Sequence, residues 1–471
     1  MAKQKKERQK KKKAVENRRL LKIPAVGIVD NIVFSKSEAW AYYKVSSVPY
    51  DFLTNQGRAK LASDIMIAFS SLSQRAGKNV DIHILVTNTP FNIDSWEDQM
   101  YKMYDLWNGR SNGRLKTFEK YMDTQVRSLK QKSYKKKVVY IGVKLFNRGT
   151  FSLDEFNMLE FGFAEAYDAI KKGISSILVM PDENITSLER NRANKDEYEI
   201  NRAIRSSALR GVRLTAEELL LINKKTLFPA MPAPYLEVNH GERIGLSDIV
   251  METGAIIEDH RRYLKIKQIV GTEEREGYRA TLSFSKFPSD SMQEPGGIDP
   301  FMYLPTIMGL PFTMNARITL MPVEKMKKDL QKKKLDNEDE LKNLAGSGQR
   351  ASSSVRETQI DIDKLDQELS NENAPWVSGN YRMTIETPTY DLLATAIQEM
   401  KQEYAKNDTV LVWTSGDQLE MMMEEMPGGK LYMNDFAQLT NLAMVGVSGF
   451  SYGGNVGDPI DEKLVLRGGG K

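Results

Sequence analysis

Val80, Ile82, Ile84 and Val86 alternate strictly, the period of two that marks a half-buried strand, and along this chain such patterns are interleaved with helical ones. Just before it, Leu61, Ile65, Phe69 and Leu72 recur at helical spacing across residues 56–75, and Gly77 stands where a helix C-cap belongs. Earlier still, Trp40, Tyr42 and Lys44 alternate with Ala41, Tyr43 and Val45 in an aromatic-rich strand pattern that Pro49 ends. Asp94 and Glu97 form a capping pattern for a helix carrying Trp96, Met100, Tyr104 and Trp107. A charged helical stretch at 116–132 leads to a strand at 138–146. Ser152 and Glu155 then cap a helix with Phe156, Leu159, Phe163, Tyr167 and Ile170, and a strand at 174–180 stops at Pro181. Strands and helices in this succession predict an α/β to α+β layered fold.

The pattern continues after Pro181. Residues 185–225 read as helical with an internal restart at Thr215 and Glu218, and strands are expected at 263–270, 279–287 and 316–321. Between 324 and 372 the composition changes. Two charged stretches, 324–344 and 355–369, flank a Gly/Ser-rich linker at 346–354, which reads as a projecting antiparallel helical pair with a mobile tip or, by its polarity, as an ordinary disordered insertion. A strand at 382–386, a helix at 390–404, a strand at 410–413 and short helices at 418–425 and 436–444 follow, before a glycine-rich connector at 449–457. No internal repeat of solenoid period is evident. A chain of 471 residues is too long for one core. Two or three mixed sheet-and-helix domains are therefore expected: 23–181, 182–323 and 376–471, with a basic disordered tail at 1–22 and the projection at 324–375.

Charge is unevenly placed. Residues 1–22 hold 11 Lys or Arg against two Glu, more than the whole chain's net charge of +4, so everything after them is net acidic. Such a tail binds the phosphates of lipid head groups or of nucleic acid, or serves as a solvated solubility tail. It has no aromatics among its lysines, so it offers no base-stacking platform. Cysteine is absent, which removes disulfide and thiolate chemistry. No window approaches the roughly 20 apolar residues a membrane helix needs.

The sequence offers no complete catalytic pattern. A phosphate loop of the form G-x-x-x-x-G-K-[ST] has its only near match in Gly468-Gly469-Gly470-Lys471, which lacks the hydroxyl residue and a following helix. His83, His240 and His260 are the whole imidazole supply and sit in no metal-binding frame; His83, inside an alternating strand, reads as structural. The carboxylate pairs Asp361 with Asp363 and Glu424 with Glu425 fall in charged stretches and read as solvated surface. Met421, Met422, Met423 and Met426 form a soft apolar cluster suited to a core or to a partner surface. No catalytic, cofactor-binding or metal-ligating residue is nominated.

Several stretches, in order, resemble the N-terminal region of the conjugative type IV secretion ATPases, the TrbE/CagE-like family with an AAA-like motor, most closely members from Gram-positive mobile genetic elements. They are the capped run Gly211-Val212-Arg213-Leu214-Thr215-Ala216-Glu217-Glu218-Leu219-Leu220 leading to Pro229, and the strand Thr281-Leu282-Ser283-Phe284-Ser285-Lys286-Phe287-Pro288. The charged excursion after Pro322, Gln418, Met426-Pro427-Gly428-Gly429 and Gly457-Asp458-Pro459-Ile460 complete the series. In the family the last run marks the entry to a RecA-like motor domain, and the chain stops soon after it. The resemblance therefore implies an assembly or docking part in DNA transfer, with no complete motor domain and no ATP-hydrolysing site of its own. ATP and Mg are implied only for the motor. Implied partners are other secretion-channel proteins, a separately encoded or missing motor domain, anionic lipid through residues 1–22, and further copies of the chain. The implied location is cytoplasmic, peripheral at the inner face of the membrane. Two other readings stand beside this one: a full ATPase seen without its motor domain, and a basic-tailed nucleic-acid-binding protein.

Overall fold

A computed structural model describes residues 25–45, 53–76, 79–90, 100–101, 104, 115–132, 135–148, 185–231, 255–270, 273–287, 312–346, 362, 376–406 and 408–448. The tail at 1–22, most of the helix expected after Asp94, the helix and strand expected between 152 and 180, His240, the 347–354 linker, Asp361 with Asp363 and the rest of the second charged stretch save Ile362, the glycine-rich connector and Gly468–Lys471 lie outside the described residues.

The chain is a mixed α+β fold built on one large antiparallel sheet. Its strands are β1 (Ala25–Val29), β2 (Ile32–Ser35), β3 (Glu38–Lys44), β4 (Val80–Pro90), β5 (Lys135–Asn147), β6 (Val212–Arg213), β7 (Ile256–Asp259), β8 (Leu264–Val270), β9 (Glu273–Lys286), β10 (Phe312–Met321), β11 (Trp376–Thr387), β12 (Val410–Val412) and β13 (Gln438–Asn441). The helices are α1 (Asn55–Ala76), α2 (Leu115–Lys132), α3 (Ser187–Ser206), α4 (Ala216–Lys225), α5 (Val323–Gly346), α6 (Tyr390–Ala405), α7 (Gln418–Glu425) and α8 (Leu442–Val447).

The strand order is β1-β2-β3-β5-β4-β10-β11-β9-β8-β7, with β6 against β3, β12 against β9 and β13 against β11. This order contains a duplication. In each half a three-stranded meander (β1-β2-β3, then β7-β8-β9) is followed by a strand (β4, then β10) that leaves room for the next (β5, then β11) to insert beside the meander. Each half then adds a helix (α3, then α6), a short strand on the third meander strand (β6 on β3, β12 on β9) and a second helix (α4, then α7). The halves join where β4 and β10 pair antiparallel, Ile84 opposite Ala316 and Ile82 opposite Ile318. Because neighbouring strands run antiparallel throughout, the two halves are related by an approximate two-fold axis normal to the sheet near that seam.

That relation keeps equivalent helices on the same face. On one face Ile65, Phe69 and Leu72 of α1, Ala193 and Ile204 of α3, and Leu393, Ile397 and Met400 of α6 pack on Ile82, Ile84, Ile141, Val143, Leu282, Met314, Ile318 and Met383. Each such aliphatic side chain contributes about 1.5–3 kcal/mol by leaving water. On the other face α4 lays Leu219, Leu220 and Ile222 against Trp40, Tyr42, Leu85 and Tyr140. Met422 and Met426, within and just after α7, pack with Leu227, Phe228, Leu264 and Ile266. The methionine cluster is core, with Met421, Met422 and Met426 all buried. The helix starts follow local rules: Thr186 and Thr215 cap α3 and α4 in reciprocal capping boxes with Glu189 and Glu218.

The helix expected at 436–444 is corrected. Residues 436–444 do not form one helix; Gln438–Asn441 is β13, paired with Val377–Gly379 and Trp376 of β11, and only from Leu442 does helix α8 begin, capped by Asn441. The reason is an open edge: β9 pairs β11 only over Arg382–Thr387, so the backbone of Trp376–Gly379 needs another partner. At the base of α5, Met326 and Leu330 pack with Ile362 and Trp376.

Gly277 of β9 lies directly under the loop that follows α4, where an added Cβ would stand 2.0 Å from the carbonyl oxygen of Pro229. That atom is backbone and cannot rotate away. We predict that Gly277→Ala lowers stability by about 1–3 kcal/mol in urea unfolding; an unchanged midpoint would contradict the seating of α4 on the second half.

Candidate functional site

Alternate positions of the central strands on the α4/α7 face are polar where a core would be apolar: Arg279, Thr281 and Ser283 on β9, Asn315 and Arg317 on β10, Asn380, Arg382 and Thr384 on β11. All are buried. A buried guanidinium needs a carboxylate or several carbonyls, and α7 with the segment behind it supplies both.

Arg279, 1% exposed, donates Nη1–H to the carbonyl of Thr226 at 2.7 Å and Nη2–H to Glu425 Oε2 at 2.7 Å, with Glu386 at 3.8 Å. The same Glu425 oxygen accepts Thr384 Oγ1–H at 2.7 Å, and Thr384 Oγ1 lies 2.9 Å from Thr281 Oγ1. Arg317 donates Nε–H to the Glu424 carbonyl at 3.1 Å and Nη2–H to the Gly429 carbonyl at 2.7 Å, while its guanidinium sits 5.2 Å from the Trp40 ring centre. Arg382 donates to the carbonyl of Met433 at 2.6 Å and is ion-paired with Glu424. Glu424 Oε1 in turn accepts the backbone N–H of Met433 at 2.6 Å. The carboxylates of Glu424 and Glu425, which the sequence reading placed on a solvated surface, are thus buried (0% and 5% exposed), because three arginines lie beneath α7.

Gln418 opens α7 and acts as a side-chain extension of the sheet. Along β9 the outer edge is paired by β8 as far as Arg279 and by β12 from Ser283 onward. Between them, Gln418 Oε1 accepts from Thr281 N–H at 2.8 Å and Nε2–H donates to the Thr281 carbonyl at 3.0 Å. Across the seam, Gly428 N–H donates to Tyr42 Oη at 2.7 Å, and Tyr42 Oη lies 3.0 Å from His83 Nδ1. Burial pushes the Tyr42 phenol up to about 12. Burial, then the nearby Arg317 charge, holds the His83 imidazole well below its usual range, so it is neutral at physiological pH. His83 is fully buried on β4, the strand that the alternation located.

The first half is tied by two other buried carboxylates, Glu189 and Glu197. Arg148 Nε–H meets Glu189 at 2.8 Å, and Glu197 gathers Arg213 (2.8 Å), Tyr43 Oη (2.9 Å) and Asn31 Nδ2 (3.1 Å). Among the described residues no group of three or more His, Cys, Asp or Glu could hold a metal ion, and no helix is long and apolar enough to cross a membrane. Through these hydrogen bonds the polar layer organises backbone: it fixes the segment from Glu424 to Met433 onto both halves of the sheet. The sequence reading missed it. Its one visible signal was the recurrence of Arg with Thr, Ser or Asn at every second position of three strands.

No protein-family model matches the chain, and no curated protein matches it.

Glu386 differs from its neighbours. Burial pushes its carboxyl above the usual range, and the Arg279 charge only partly offsets this. A raised folded-state pKa means that ionisation opposes folding, so its contribution is most favourable at low pH and is lost as pH rises through the folded pKa. We predict that the stability of Glu386→Gln relative to the parent increases between about pH 4.5 and about pH 7.5; a constant difference across that range would show that the carboxylate ionises without cost.

Proposed function

We propose that this chain is the assembly and docking part of a conjugative type IV secretion ATPase, acting in DNA transfer beside a motor that hydrolyses ATP elsewhere. One observation supports the reading more than any other: four of the described stretches that carry the family resemblance come together about the α4/α7 face of the sheet. The run Gly211–Leu220 hands Leu214 N–H to the carbonyl of Tyr42 at 3.2 Å and packs Leu219 and Leu220 beside the Tyr42 ring. Met426–Gly429 reaches the hydroxyl of that tyrosine through Gly428. Gln418 holds Thr281 at the start of the third stretch, 137 residues away in sequence. Stretches kept in order and in mutual contact behave as one surface, and a surface made of backbone held by buried ion pairs suits a rigid docking platform.

On this reading the charged projection beginning at α5 and the tail at 1–22 face the partners, channel proteins and anionic lipid respectively. The test is nucleotide binding and ATP turnover by the purified chain, alone and with a candidate motor domain from the same genetic element. The expected result is no nucleotide binding alone and a stable complex, or altered turnover, in the mixture. Turnover by this chain alone would overturn the proposal.

A further inference from the structure

The turn between β7 and β8 carries a group of planar side chains that the polar layer does not use. His260 and Tyr263 stack with ring centres 4.7 Å apart and planes 11° from parallel, and Tyr263 continues to Tyr390, at the start of α6, at 4.6 Å and 38°. Arg262 lies with its guanidinium 5.7 Å from the Trp413 ring centre. The outer members are open to solvent: the His260 side chain is 42% exposed and Tyr390 is 41% exposed.

The turn is fixed before any ligand arrives. Trp413 Nε1–H donates to the Arg262 carbonyl at 2.5 Å, and Gly416 N–H donates to the Arg261 carbonyl at 2.7 Å. Asp259 Oδ1 accepts the Arg261 N–H at 2.8 Å, and Arg261 is held at φ +67°, a conformation that L residues adopt at a cost. The Arg261 side chain is exposed.

The charges around the turn are sorted. Lys265 is engaged by Glu276 at 2.6 Å and Lys267 by Glu258 at 2.8 Å. Glu258 also stands 3.6 Å from His260. These acids are thereby largely neutralised. Arg261 and Arg262, both exposed, have no carboxylate within ion-pair distance among the described residues. Asp391, in the first turn of α6, stands beside Tyr390 and Asp259 beside the Arg261 backbone; two guanidinium groups against that one carboxylate make the arginine end of the ladder, and not the tyrosine end, the place for an anion. Stacked rings whose outer members are exposed, beside guanidinium groups with no carboxylate partner among the described residues, match a ligand of flat aromatic units joined by anions.

We propose that this turn is a stacking platform for single-stranded nucleic acid, with unpaired bases lying on the outer faces of Tyr390 and His260 and the backbone phosphates on Arg261 and Arg262. The site is independent of the conjugation reading and of the basic tail, which can contact phosphate but has no ring to offer a base. A duplex hides its base faces and is a poor ligand here.

Fluorescence polarisation on the full-length protein separates base from phosphate. The probes are a labelled oligothymidylate, an oligouridylate, an abasic sugar–phosphate strand of the same length, and a duplex, all at one salt concentration. The single strands with bases, DNA and RNA alike, should bind roughly tenfold or more tightly than the abasic strand. Tyr390→Ala should reduce them to the abasic level, whereas Tyr390→Phe, which keeps the ring, should not. Arg261→Gly, which tolerates the left-handed backbone, should weaken base-bearing and abasic strands together. Equal affinity of the parent protein for thymidylate and abasic strands would overturn the proposal, whatever the variants do. So would an unchanged base preference in a folded Tyr390→Ala protein, checked by its melting temperature.

Discussion

Three guanidinium groups buried on one face of a sheet cannot be left there alone, and most of what is distinctive in this structure follows from how they are answered. Arg279, Arg317 and Arg382 sit on three adjacent strands, β9, β10 and β11, and between them they draw in two carboxylates and four backbone carbonyls. Every one of those carbonyls belongs to a chain segment that leaves or follows a helix: Thr226 after α4, Glu424 at the end of α7, Gly429 and Met433 beyond it. Desolvating a charge costs several kcal/mol unless its hydrogen bonds are replaced. The arginines therefore dictate where irregular backbone runs, a task that apolar packing, being non-directional, performs poorly.

The duplicated topology explains why such anchoring is needed at the centre. Each half closes its own apolar layer under α1 and α3 or under α6, and the two layers merge across the β4–β10 seam. On the opposite face α4 packs on β3, β4 and β5 and Met422 of α7 packs with β8, while the segment from Gly428 to Met433, without regular structure, is held by Tyr42, Arg317 and Arg382. The Tyr42–Gly428 bond crosses from the first half to the segment after the second-half helix, and Arg279 reaches the end of the first-half helix α4. Each half is thus latched by the other.

Much of the element content was legible in the sequence. Period-two and period-3.6 patterns located β4, β5, α1, α6 and α7, and the Thr215–Glu218 pair marked the start of α4. What escaped was non-local. The short strands β6, β12 and β13 owe their form to edges presented by β3, β9 and β11, and Gln438–Asn441 was read as helix because its own residues carry no strand period. Glu424 and Glu425 were read as surface because acidic pairs at a helix end usually are, and only their pairing with Arg382 and with Arg279, the latter 146 residues away in sequence, reverses that. The duplication was invisible because it is one of strand order, which residue patterns do not encode. The stacked turn was hidden for a related reason: His260, Tyr390 and Trp413 come together only through folding.

The pairing of Arg279 with Glu425 is the most exposed point of this account. A double-mutant cycle with Arg279→Met, Glu425→Met and the combined variant, read by urea unfolding, tests it directly. Each single replacement strands a buried charge and should cost about 3–5 kcal/mol, whereas the double variant should cost clearly less than the sum and about as little as either one. Additive losses, within about 0.5 kcal/mol, would show that the two residues act separately and that the buried ion pairs do not organise the face.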